Sequence, residues 1–383
     1  MPLATRRAFL EASLGGVGGL VCAETALAGP GTTAAQRVPM IHGTDLFRPH
    51  IDPDDHWDLA CVFALAHRGD VDLLGVLIDF PVPGRRNDPD VQAVAQLNYL
   101  TGKTVPVMIG MPRRLEAEEA KGPAHEAETR GIRAVLDLLR RWPRPVVLNV
   151  VGSCRDVATA GRMEPELFAR KCAAIYLNAG SGTPDRAKAA RLEYNVALDP
   201  PAYASLFQLP CPIYWMPCFE VVPGRDEPWQ SGDFGTFYRF RQGEVLPELS
   251  PGVQNYFAYV FQDHQEGKTQ VGRADWLRFL LAPQDKEIER SVRAMDRSMW
   301  CTGGFLHAAG LSVTCEGKIV PLAEVRDPVF TFDPIEVTCS ADGVTQWRAA
   351  STPSRRFLFH VRDPIRYPAA MTAALRSLLK ALP

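Results

Sequence analysis

The chain has 383 residues, 46% of them hydrophobic and 22% charged, with a formal net charge of −2. This is a globular composition, long enough for one large α/β domain or two smaller ones. The near-neutral balance, with no basic stripe among aromatics, excludes an electrostatic footprint for nucleic acid, and no apolar stretch approaches the ~20 residues that span a bilayer.

At the N-terminus, TRRAFLEASLGGVGGLVCAETALAG carries twin arginines (Arg6, Arg7), then Phe9-Leu10, a weakly apolar stretch and the small-x-small sequence Ala26-Leu27-Ala28. It resembles a twin-arginine export signal over residues 1–28, which sends a prefolded chain to the periplasm or beyond. Cys22 follows Gly19-Leu20-Val21 and no good lipobox, so no membrane attachment is expected once the signal is removed.

RVPMIHGTDL then reads as a short buried strand, and DPDDHWDLACVFALAHRG as a helix with Asp52 as N-cap, Pro53 in first position and Gly69 as the stop. VDLLGVLIDF, VPVMIGM, RPVVLNVVGS and AAIYLNAGSG read as four further strands. The helices DPDVQAVAQLNYLTGK, HEAETRGIRAVLDLLRRWP and RDVATAGRMEPELFARKC separate them. Continuous Val/Ile/Leu strands alternating with helices predict an α/β fold with a mainly parallel open sheet covered on both faces. One domain is expected over 37–326, in which 219–290, aromatic and rich in Pro and Gly, is an insertion or lid. From 327 to 383, VFTFDPIEVTC, TQWRAAS and RRFLFHVRD alternate like strands of a small antiparallel element, and AAMTAALRSLLKAL closes the chain as a helix on the same domain.

Eight cysteines follow the signal, and the close pair Cys211 and Cys218 is open to one disulfide; the others read mostly as small buried residues. No CxxC or zinc spacing occurs.

Parallel sheets bind ligands at the carboxyl ends of their strands. The polar residues there are Thr44-Asp45, the loop before Asn87, Ser153 to Asp156, and Asn178 to Ser181. The first of these loops belongs to HGTDLFRPHIDPDDHWDLA, which holds Asp45, Asp52, Asp54, Asp55 and Asp58. Carboxylates so placed offer hard oxygen ligands for a divalent cation; helix capping with solvated acids is the plainer alternative.

The order and content of these segments resemble the inosine–uridine nucleoside hydrolase superfamily. Its Asp-x-Asp-Pro-Gly-x-Asp-Asp signature corresponds to GTDL, an inserted FRPHI and DPDD, with Gly43 and Asp54 replacing two signature residues. VVGSCRDVATAG resembles the family's Gly-Pro-Leu-Thr-Asn-x-Ala segment, and RNDPDVQAVAQLNYLTG its Gly-Asn loop and helix. EYNVALDPPAYASL resembles its Glu-Phe-Asn-x-x-x-Asp-Pro-x-Ala-Ala segment and is the most specific match. The resemblance covers residues 38–218.

The resemblance implies hydrolysis of an N-ribosidic bond with a bound Ca²⁺. Asp45 aligns with the aspartate that binds calcium and deprotonates the attacking water. Asp55 aligns with the second metal carboxylate and its neighbour Asp54 faces the ribose, although counting back from Leu73-Leu74-Gly75 selects Asp58 instead; all three stay open as metal ligands. Arg155 falls where the family uses a backbone carbonyl on the metal. Asn87, Glu193 and Asn195 align with residues that hold ribose hydroxyls, and Asn178 sits on the same rim. Trp57 is a candidate to stack on a base or sugar, with core packing as the alternative. His307 is a candidate leaving-group acid. One departure stands out: Cys301-Thr302 occupies the place of a His-Asp pair whose aspartate closes the family's calcium site. The expectation is therefore an exported riboside hydrolase with a small-molecule substrate. A non-catalytic riboside or sugar binder and a hydrolase of another glycoside are the alternatives, and homo-oligomerisation is left open.

Overall fold

The structure is a computed structural model that describes residues 37–47, 53–79, 89–112, 114–115, 129–265 (of 261–265 the backbone alone) and 275–383. The twin-arginine segment, Asp52 and Asn87 lie outside the described residues.

The first half alternates strand and helix. β1 (Val38–Thr44) is followed by α1 (Pro53–Arg68), β2 (Val71–Ile78), α2 (Pro89–Thr101), β3 (Val107–Ile109), α3 (Arg130–Arg141) and β4 (Val146–Val150). α1 begins with Pro53, whose missing N–H costs nothing in the first turn. It ends at Gly69, whose φ of 87° suits a residue without Cβ. The next predicted helix is broken into α4 (Arg155–Met163) and α5 (Pro165–Lys171), because Pro165 cannot continue α4 and instead opens a new helix. β5 (Cys172–Asn178) leads through the short helices α6 (Arg186–Ala189), α7 (Tyr194–Leu198) and α8 (Pro200–Leu206) to β6 (Ile213–Met216).

Beyond residue 217 come β7 (Tyr238–Arg241), α9 (Pro251–Gln265), α10 (Trp276–Leu281), α11 (Lys286–Arg293), β8 (Asp296–Met299) and α12 (Thr302–Ala308). β9 (Leu311–Val313), β10 (Ile319–Pro321), β11 (Phe330–Cys339), β12 (Thr345–Ala349), β13 (Arg356–Val361) and α13 (Tyr367–Leu379) complete the chain. The segment predicted as a lid packs on the first helices: Tyr256 of α9 donates its hydroxyl to the His56 carbonyl at 3.2 Å.

The central sheet has nine strands in the order β12-β11-β13-β6-β5-β4-β1-β2-β3. The tail strands are antiparallel to one another, as expected, and they extend the central sheet. β13 pairs parallel with β6 (Arg356↔Ile213, Leu358↔Trp215), and β11 and β12 continue the same sheet antiparallel to their neighbours. The exposed faces of these edge strands give them the alternating pattern that imitates an independent hairpin.

Alternate residues of each inner strand feed two cores. Met40, Tyr176 and Met216 face α1, α9, α12 and α13, where Phe63, Phe257, Phe305 and Leu375 pack. Ile41, Ile175 and Trp215 face α3, α4, α5 and α8 through Ile132, Phe168 and Tyr203. Residues 37–383 form one compact unit. Among the described residues no helix is long and apolar enough to cross a membrane. All eight cysteines of the described residues are free thiols, so Cys211 and Cys218 do not pair; Cys211 lies against Cys172 instead.

Candidate active site

The carboxyl ends of β1, β4, β5 and β6 open into a cleft of about 540 Å³. Its floor holds Asp54, Asp55, Asn178, Glu193 and Asn195; its wall is made by Phe219, Val222 to Arg225, Trp229 and Trp300. Five of the residues singled out in the sequence thus meet in one place. A second hollow of about 330 Å³, between α9, α10 and α11, lies against Asn255, Phe279 and Arg293 and gathers none of them.

Each floor residue is held by the fold around it. Asp54 and Asp55 stand in the first turn of α1, where free backbone N–H groups favour negative charge. Asp55 Oδ2 accepts the Thr44 hydroxyl at 2.5 Å and the Asp45 backbone N–H at 3.1 Å, which ties the helix start to the end of β1. Asp45 is buried, 2% exposed, and is not among the residues that line the cleft; its carboxylate packs against Gly152, where an added Cβ would come 2.8 Å from Asp45 Cγ.

Asn178 and Asn195 spend their amide N–H groups on the protein. Asn178 Nδ2 donates to the Met216 carbonyl at 2.9 Å and to Thr236 Oγ1 at 3.2 Å. Asn195 Nδ2 donates to the carbonyls of Val151 (3.0 Å) and Asn178 (3.2 Å). These bonds to carbonyls fix which amide atom is oxygen. Asn178 Oδ1 in turn accepts the Cys301 and Cys218 thiols at 3.3 and 3.6 Å.

Glu193 is the N-cap of α7, and Asn195 stands in the first turn of that helix. Its Oε1 accepts the Asn195 N–H at 2.9 Å and its Oε2 accepts those of Gly180 (2.8 Å) and Val196 (3.4 Å). Burial pushes the Glu193 carboxyl up, and these backbone donors, with the Cys218 thiol, oppose the shift. The floor therefore presents oxygen acceptors and almost no donors.

Four further residues stand elsewhere. His307 on α12 shares a 2.7 Å hydrogen bond with the Tyr176 hydroxyl and packs on Tyr214 and Phe332, over the sheet face; burial holds its pKa down to about 4. Trp57 is core: it stacks on Phe257 with centroids 4.0 Å apart and meets Phe240 edge-on. Asp58 is fully buried and lies beside the Cys301 thiol, which burial first and then Asp58 push well up. Arg155 opens α4 with its side chain fully buried; Nε donates to Ser153 Oγ at 2.9 Å and lies 3.6 Å from Asp79 and 4.0 Å from Asp199.

The aromatic wall was missed at Phe219 and Trp300. Trp229 meets Phe219 at 5.6 Å and Trp300 at 6.0 Å, and Phe237 stands behind them. Only the excess of aromatic residues after residue 217 signalled it.

The family model described as inosine-uridine preferring nucleoside hydrolase matches residues 50–251, more than half of the chain. The chain belongs to the nucleoside hydrolase family. Its structure is similar to that of an inosine-guanosine nucleoside hydrolase, at 15% identity and a TM-score of 0.51, covering 90% of this chain and 99% of that one. It is also similar to the effector protein XOO4466 (16%, TM-score 0.53, 91% and 95% covered) and to the plant nucleoside hydrolase PpNRh1 (13%, TM-score 0.50, 89% and 99% covered). At such identities the likeness shows the fold. No curated protein matches by sequence.

The calcium that this nucleoside hydrolase family implies must be tested against the residues present. Calcium takes six to eight oxygens around one point. Here Thr302 shares a 2.7 Å hydrogen bond with the Tyr238 hydroxyl, and Cys301 offers sulfur, a poor calcium ligand. Among the described residues no three carboxylate, thiol or imidazole groups converge to hold a metal ion. The described carboxylates do not by themselves close a calcium site, and no chemical step is routed through one.

Proposed function

We propose that the cleft binds a ribosyl compound and cleaves its N-glycosidic bond. The observation that carries this reading is the acceptor-rich floor. Sugar hydroxyls are donors, and Asp54, Asp55 and the Asn195 carboxamide oxygen offer them acceptors whose positions are fixed before the ligand arrives. As the C1′–N bond breaks, positive charge develops on the sugar and the same carboxylates stabilise it without reorganising; a water forms the new C1′–O bond, and its proton goes to the departing base. Phe219, Trp229 and Trp300 supply a flat apolar wall for the leaving base. Asp45, behind Asp55, holds that carboxylate in place through its backbone N–H. Export through the twin-arginine segment is part of the same proposal, and its check is fractionation of cells producing the wild-type chain and an Arg6→Lys/Arg7→Lys variant.

A second reading, riboside binding without turnover, is favoured by the sequence resemblance, in which Cys301-Thr302 stands where a His-Asp pair is expected; the Cys301 thiol lies 3.3 Å from Asn178 Oδ1 of the cleft. Chromatography of free base released from a panel of purine and pyrimidine nucleosides separates the two. Release supports the hydrolase. Saturable quenching of tryptophan fluorescence with no release supports the binder, and neither signal for any riboside overturns both.

A further inference from the structure

One side of the cleft wall carries a positive charge, set opposite the acidic floor. The turn at Val222 to Glu227 is stapled: Arg191 Nη1 donates to the Val222 carbonyl at 3.1 Å and meets Glu227 Oε2 at 3.4 Å, and the same oxygen accepts the Gly224 N–H at 2.5 Å. The staple presents Pro223, Gly224 and Arg225 to the cleft. The neighbouring cations are engaged. Arg191 is held by Glu227, and the Arg239 guanidinium lies 5.7 Å from the Trp229 centroid and 5.6 Å from that of Phe237. Arg225 is exposed, lines the cleft, and among the described residues makes neither an ion pair nor a hydrogen bond.

The cleft is thus polarised, with the Asp54, Asp55 and Glu193 carboxylates on its floor and one unengaged guanidinium on its wall. An acidic floor alone repels anions, and a neutral nucleoside offers a guanidinium only uncharged acceptors such as base carbonyls and ring nitrogens. A planar fork of N–H donors matches an oxyanion, which it holds through two parallel bonds. From this we infer that Arg225 selects ribosyl ligands that carry an oxyanion, phosphate or carboxylate. The inference rests on the riboside reading above and names its substrate class. The polyol seats on the floor, the flat group lies against Trp229 and Trp300, and the anion pairs with Arg225.

The test is calorimetric binding by the full chain of two matched pairs: uridine against uridine 5′-monophosphate, with the anion on the sugar, and uridine against orotidine, with the anion on the base. In at least one pair the anionic member binds tenfold or more tighter, and which pair responds locates the anion. That preference weakens as salt is raised, as an accessible ion pair must. Arg225→Gln abolishes the preference, and Arg225→Lys, which keeps charge but loses the fork, retains part of it; the position is exposed, so folding is preserved and a melting curve confirms it. Equal binding within both pairs, or a preference that survives Arg225→Gln, overturns the inference. Base release measured alongside keeps the two claims apart: anion-selective binding without release refutes hydrolysis and leaves Arg225 as the selector, whereas release without anion preference does the reverse.

Discussion

Arg155 offers the sharpest energetic prediction. Its guanidinium is fully buried between Asp79 and Asp199, which lie 3.6 and 4.0 Å from Nε, and those carboxylates anchor backbone N–H groups of Ser153 (2.7 Å) and Leu115 (2.7 Å). Arg155→Met keeps the volume roughly and removes the charge, leaving two buried carboxylates to face each other. Breaking a buried pair from one side costs roughly 3–5 kcal/mol. At about 2 °C per kcal/mol for a large domain, the melting temperature falls by roughly 6–10 °C. The pH dependence has a definite sign. Burial already pushes the Asp199 carboxyl up, with Arg155 among the opposing influences, so the variant raises it further. A carboxyl whose folded pKa is raised favours folding when protonated, so the deficit is smallest near pH 4 and grows as pH rises. Asp79→Asn in the Arg155→Met background recovers part of the loss. Thermal melts monitored by tryptophan fluorescence from pH 4 to 8 measure both effects. A cost below about 1 kcal/mol, or a double variant no more stable than the single one, refutes the account of Arg155 as a buried tie.

Three further outcomes are expected. His42, T-shaped on Phe305 and held down to about 3 by burial, together with His307 at about 4, must take up protons on unfolding; the stability they protect is full above about pH 6.5 and lost as pH falls toward 4 and then 3. His42→Leu therefore melts closer to, or above, wild type as acidity increases, and a gap that stays constant with pH contradicts this. Gly152→Ala places a Cβ 2.8 Å from Asp45 Cγ, so that carboxylate and the Asp55 it braces must move; base release drops tenfold or more while the fold, judged by circular dichroism, persists. Since the described donors do not converge on a cation, EDTA dialysis leaves base release within twofold, and loss restored by added Ca²⁺ would show a site closed from outside them.

The parallel sheet was legible because buried strands read as unbroken Val/Ile/Leu runs and because Pro53 and Gly69 bracket α1. From the strand-end rule the meeting of Asp54, Asp55 and Asn178 could be anticipated, whereas Asn195 was named only by the family resemblance. Arg155 was not legible: its partners Asp79 and Asp199 are distant in sequence, and alignment of letters points to its backbone, not to its buried side chain. The surroundings of His307 were not legible for a similar reason, since only tertiary packing reveals Tyr176 and Phe332 around it. The short helix after Glu193 is too brief for a periodic signal and is set by its cap. The tail strands alternate because they are partly exposed, and nothing in that alternation says that β13 will add to β6 across the chain.

The central claim is that the carboxylates on the cleft floor act on a ribosyl group. It is tested most directly by kcat for base release from the best nucleoside of the panel, compared between wild type and Asp54→Asn. Asparagine keeps the shape and removes the charge that meets the developing cation, so kcat is predicted to fall about 10²-fold or more, with an unchanged melting temperature within about 3 °C. Release at the wild-type rate by Asp54→Asn would contradict the account.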